Sequence, residues 1–297
     1  MTSRTKGIVA YIVIAFTMAW ILWEVPIRLG LSLQSPLTQL VILPGAFSPA
    51  VAALVVRKWI TGEGFADAGL RLNLRTKWPY YLVAWLLPLG VTLGIVVLSV
   101  AFGVEQPDFS LQRAFQTLVP GGGQMPSFVF GLLVLQAMVT SLIATPLLWG
   151  EEFGWRGYLQ IRLLSHRPLL AAVATGIIWG IWHIPLNLRG YNFPERPILG
   201  LFAFPVSAVL LSIIFGWLRL KTESVWSASL AHAATNAIGG SLTMLLFVGG
   251  ANSYLVGYLG LLGWIPLGIV CAWIILSGQL QPHPVLSGQA ERGGRSR

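Results

Sequence analysis

Eight times this chain runs for roughly twenty residues with scarcely a charge: 7–29, 37–57, 78–102, 127–150, 168–188, 197–218, 226–247 and 254–277. About 20 apolar residues are what a helix needs to cross a bilayer. Inside lipid only helices and closed barrels satisfy their own backbone polar groups. The period-2 alternation of a barrel is missing from these segments. The expected fold is therefore all-α, a polytopic membrane protein of about eight transmembrane helices. Charged residues make up only 10% of the chain and the mean hydropathy is +0.74, whereas a soluble domain carries about 25% charge. Residues 1–277 read as a single transmembrane helical domain, and 278–297 as a disordered, basic, Gly-rich tail.

The basic residues follow the loops. Arg4, Lys6, Arg57, Lys58, Arg71, Arg75, Lys77, Arg156, Arg162, Arg167, Arg219, Lys221, Arg292, Arg295 and Arg297 fall on one side of the alternation. Only Arg28, Arg113, Arg189 and Arg196 fall on the other. The positive-inside rule then puts both termini and the tail in the cytoplasm of a cell-membrane protein. It also accounts for the net charge of +9 by topology, so nucleic acid is not a partner. The first segment follows Arg4 and Lys6 but ends in Trp23, Glu24 and Pro26 with no small-residue cleavage site, so it reads as a retained helix. A lone Cys271 has no disulfide partner. "VPGGGQMP" (119–126) lacks the Lys-Ser/Thr of a phosphate loop and reads as a flexible external turn.

A charge at membrane depth costs at least about 2.5 kcal/mol, so an acid kept there points to function. Three acids qualify. Glu24, beside Trp23 near a helix end, is expected to snorkel to the interface. Glu151 and Glu152 sit in "WGEEFGWRGYLQ" (149–160), their side chains about 100° apart on a helix. Arg156, four residues after Glu152, neutralises it and leaves Glu151 to face something else. "IIWGIWHIPLNL" supplies His183, with Trp179 one turn earlier and Asn187 one turn later. A turn near residue 167, before Pro168, lies 16 residues from Glu151 and 16 from His183. In an antiparallel hairpin both would therefore sit about 24 Å from the turn. This requires the Glu151 helix to continue through Arg156 toward 164. "SASLAHAATNAIGG" adds His232 and Asn236, four apart and on one face, on a helix slimmed by Ser and Ala. His166 and His283, in a loop and the tail, read as solvated.

A carboxylate, two imidazoles and a carboxamide supply a base for water and donors for an oxyanion, which is what amide hydrolysis needs. A divalent metal such as zinc, bound by His183, His232 and Glu151, would instead lower the pKa of its own water. Soluble zinc-protease signatures are absent, and the residues leave both mechanisms open, with a metal cofactor or with none.

"EEFGWR", "WGIWH" and "HAATN" resemble, in order and spacing, the Glu-Glu-x-x-x-Arg, Phe-x-x-x-His and His-x-x-x-Asn motifs of the CPBP intramembrane proteases. That family, also called Abi, includes the type II CAAX prenyl endopeptidases. The resemblance implies an endopeptidase with an intramembrane active-site cavity, its catalytic motifs within 127–247. It assigns Glu151 as general base assisted by His183, His232 and Asn236 as oxyanion donors, and Glu152 and Arg156 as support. Trp179 stands where the motif has Phe and keeps an aromatic wall. The implied partners are the bilayer and a peptide or protein substrate, membrane-associated or lipid-modified. Intramembrane Glu and His also build proton relays, so a proton-coupled transporter is the competing reading. A catalytically silent immunity or scaffold protein is a third.

Overall fold

The computed structural model describes residues 2–33, 35–250 and 253–280 and, among these, contains helices and no strands. Eight rods follow the sequence: α1 (Ser3–Arg28), α2 (Leu37–Ile60), α3 (Leu74–Ala101), α4 (Val129–Arg162), α5 (Pro168–Trp182), α6 (Pro197–Thr222), α7 (225–246) and α8 (Ser253–Leu276). Among the described residues six of these are long and apolar enough to cross a membrane, rather than eight. The two exceptions have identifiable causes. α5 has only 15 residues, because Pro185 brings no N–H to a helix continuing past His183 and its ring clashes with the turn before it. α7 dilutes its apolar residues with serines, His232 and Asn236. The molecule is an integral membrane protein. The tail from 281 onward, including His283, lies outside the described residues.

α4 is the axis, flanked by α2 and α7, while α6 packs against α5, α7 and α8. Small residues bring these backbones together in the manner of membrane helices. A Cβ on Gly154 would stand 2.3 Å from Cβ of Pro49 in α2, and one on Gly176 of α5 would stand 2.6 Å from Cα of Val209 in α6. Three π-turns interrupt the rods, at Val56–Ile60 in α2, Trp155–Leu159 in α4 and Thr235–Gly240 in α7. Such turns gather at functional sites, and the last two directly follow the acid pair and His232.

The two ends of the bundle carry separate polar layers. At the end holding the N-terminus, Arg4 donates to the carbonyl of Arg162 (2.7 Å), and Arg162 pairs with Glu63 and with Asp67 (3.0 Å). Fully buried Arg57 pairs with Asp67 (2.7 Å), and Arg219 donates to the Asp67 carbonyl (2.7 Å). Burial alone would raise the Asp67 carboxyl, but the Arg57 hydrogen bond and the charges of Arg162 and Arg57 hold it below the usual carboxylate range. At the opposite end Glu24 does not simply snorkel. It is fixed by Arg28 (3.2 Å) and by Arg189 (2.7 Å), a partner 165 residues away. The 119–126 turn is likewise tied down rather than free: Gln112 donates to the Gly123 carbonyl (3.0 Å) and accepts from Met125 N (3.0 Å). Cys271 is a buried free thiol donating to the Leu210 carbonyl.

Candidate active site

α4 continues past Pro146 and, through its π-turn, past Arg156 to Arg162, and the chain turns at 163–167 before Pro168 opens α5. The turn before Pro168 and the helix continued through Arg156, which the expected hairpin required, are both present. Glu151 and His183 are joined through Trp179. The Trp179 indole N–H donates to Glu151 Oε2 (2.9 Å), and the Trp179 carbonyl accepts from His183 Nδ1 (3.0 Å). A carbonyl only accepts, so the His183 proton sits on Nδ1 and Nε2 presents a lone pair.

Glu151 and Glu152 divide as their 100° separation requires. Glu151 Oε2 takes two indole N–H groups, from Trp179 and, at 3.4 Å, from Trp155 one turn along its own helix. No partner is found for its Oε1 among the described residues. Glu152, fully buried, receives Arg156 Nη1 and His232 Nδ1 on the same Oε1, both at 2.9 Å. The expected Glu152–Arg156 pair is present. His232 joins it from α7, so its contact is with Glu152 rather than Glu151. The carboxylate holds a proton on His232 Nδ1 and turns Nε2 outward.

Aromatic rings wall the cluster. The Trp179 ring lies 5.1 Å from the His232 ring and 4.9 Å from the Arg156 guanidinium, which also faces Phe215 at 5.2 Å. His183 is enclosed by Trp182 (4.7 Å) and Phe204 (4.5 Å), with Trp23 of α1 at 6.2 Å. His183 caps α5 instead of lying within it. Asn187, in the one-turn helix Ile184–Asn187, accepts from Asn192 (2.7 Å) and so belongs to the following loop. Asn236 stands apart. It is exposed on the α7 π-turn, and no hydrogen bond ties it to the cluster among the described residues. A 410 Å³ cavity lies toward the Glu24 end, lined by Tyr191, Phe193, Thr243, Phe247 and Tyr258 among others, and none of the acid–imidazole cluster lines it.

Residues 128–238 match a family model. Its description is type II CAAX prenyl endopeptidase Rce1-like. The matched stretch contains Glu151, Glu152, Arg156, Trp179, His183, His232 and Asn236, and it agrees with the resemblance read from the three motifs. Among curated proteins none matches the chain.

No group of three or more His, Cys, Asp or Glu side chains among the described residues is placed to hold a metal ion. Glu152 is occupied by a guanidinium and an imidazole, and both imidazoles have their Nδ1 committed. His183, His232 and Glu151 do not form such a group as placed, while Nε2 of each imidazole stays open. Trp155 is a site residue that the motif reading passed over. Its signal was its position, four residues after Glu151, the same offset that links Glu152 to Arg156.

Proposed function

We propose that this protein is an intramembrane endopeptidase acting on membrane-associated or lipid-modified peptides or proteins, with both termini in the cytoplasm of the cell membrane. The observation that supports it most is the unequal treatment of two adjacent buried acids. Glu152 is neutralised by Arg156 and His232, while Glu151 is held at one oxygen by indole N–H groups and keeps the other available. In this reading Glu151 Oε1 removes a proton from a water molecule whose second hydrogen is accepted by His183 Nε2. The water oxygen attacks the peptide carbonyl carbon, and the carbonyl π electrons move to oxygen. His232, through Nε2 when that nitrogen carries a proton, donates to that oxyanion. Collapse restores the carbonyl and breaks the C–N bond as Glu151 returns its proton to the leaving amine. The family match supports peptide-bond hydrolysis as the reaction class.

The test is incubation of the purified protein in lipid nanodiscs with a library of membrane-segment peptides, products being read by mass spectrometry. Glu151→Gln keeps an oxygen for the indoles but removes the base, and it should lower cleavage by about 10²–10⁴-fold. Equal cleavage by the variant ends the assignment. The same assay with a chelator separates glutamate-activated water from metal-bound water.

A further inference from the structure

Several polar atoms around the acid pair are sealed from solvent and lack a hydrogen-bond partner among the described residues. They are Glu152 Oε2, Arg156 Nε and Nη2, and the hydroxyls of Tyr11 and Tyr158. Glu152, Arg156 and Tyr158 follow one another along α4, and Tyr11 comes from α1. The Tyr11 ring lies 5.8 Å from the ring of Trp155, the residue before Arg156 in α4. The Tyr11 and Tyr158 rings lie 5.0 Å apart. Tyr158 in turn carries the Arg162 guanidinium at 4.3 Å and that of Arg57 at 5.4 Å. Those two cations belong to the polar layer of Glu63 and Asp67 at the bundle end. From Glu152 to Arg162 is ten residues of α4, about 15 Å.

An unpartnered buried polar group costs about 1–3 kcal/mol, so each of these five atoms calls for a partner. Buried water is the general remedy, each molecule needing two to four polar partners, and these five atoms comprise one acceptor, two donors and two hydroxyls that can do either. We propose that the seam Glu152–Arg156–Tyr11–Tyr158 is a water-binding path joining the intramembrane acid pair to the Glu63–Asp67 end of the bundle. Its purpose rests on the hydrolytic reading: each peptide bond cut consumes one water, and aromatic rings wall Glu151 and both imidazoles. Tyr11 lies outside the family-matched stretch, so the path is assembled by α1 as well as by the motif helices.

Radiolytic hydroxyl-radical footprinting of the intact wild-type protein in lipid nanodiscs tests this directly, because radicals generated from bound water oxidise the side chains beside it. Phe153 is the dry reference, since it is 1% exposed and stacked between Trp149 (4.7 Å) and Phe65 (6.3 Å). After correction for intrinsic reactivity, Tyr11 and Tyr158, both fully buried, should oxidise at least about threefold faster than Phe153 if water occupies the seam. Oxidation of either tyrosine below that ratio overturns the proposal. The measurement reads hydration whether or not a peptide is cut, so its failure and that of the protease assignment are separate results.

Discussion

Replacing Trp179 by Phe installs the residue that the CPBP motif carries at this position, and the structure predicts a loss rather than a restoration. The substitution removes the 2.9 Å indole N–H bond to Glu151 Oε2. A hydrogen bond to a charged group contributes about 1.5–3 kcal/mol. The Trp155 bond that remains is 3.4 Å long, beyond the usual range for N–H···O, and holds the carboxylate weakly. The Trp179 carbonyl still accepts from His183, and a phenyl face still meets Arg156, so the imidazole tautomer and most of the packing survive. The variant should therefore fold while the base loses its fixed orientation. At about 1.4 kcal/mol per tenfold, kcat should fall by about 10- to 100-fold. KM should change by less than about twofold, because an interaction that matters only in the transition state lowers kcat and kcat/KM together. The assay is cleavage of a library-identified peptide in nanodiscs, with a thermal melt alongside. A fully folded Trp179→Phe variant with wild-type kcat would refute the indole clamp and leave shape alone as the role of this residue.

Three further outcomes follow from the packing. Arg156→Ala leaves the fully buried Glu152 with only the His232 hydrogen bond, and should destabilise the protein by about 3–5 kcal/mol in a denaturant titration in mixed micelles. Gly154→Ala drives a methyl group into Pro49 at the α2–α4 crossing and should cost about 1–3 kcal/mol in the same titration. The Asp67 carboxyl is depressed in the folded state, so the stability it contributes is fully present above the unfolded carboxylate value of about 3.9 and is lost as pH falls through the folded value. Asp67→Asn should accordingly lower the melting temperature at neutral pH and flatten its decline on the acid side; an acid-side slope unchanged from wild type would contradict the Arg57–Asp67–Arg162 arrangement.

The hairpin was legible because it needed only a continued helix and one proline, and Trp179 joins Glu151 to His183 across it. The Glu152–Arg156 pair was legible for the same reason, being local to one turn. The contact of His232 was not, because it depends on how α7 is rotated about its axis against α4, and a rotation set by packing leaves no periodic mark. Asn236 shows the limit of counting by four: the π-turn that begins at Thr235 breaks the regular α-helical offset that the shared-face argument assumed. The early end of α5 could have been read from Pro185. The Arg189 partner of Glu24 could not, since it joins two helix ends brought together only by the finished bundle.

Charge balance explains why, of two neighbouring glutamates, Glu151 keeps a free oxygen. An isolated carboxylate in hydrocarbon is costly, and α4 carries two within one turn. Arg156 offsets one of them only if it is four residues from it, which selects Glu152, and His232 then shares that same oxygen. Glu151, rotated about 100° away, is beyond that pairing and is stabilised by neutral donors, the indoles of Trp155 and Trp179. Indole N–H groups hold a carboxylate in place without cancelling its charge, whereas a guanidinium in the same position would do both. Adjacency in the sequence thus forces inequality in the fold, and the inequality leaves one oxygen that can accept a proton from water.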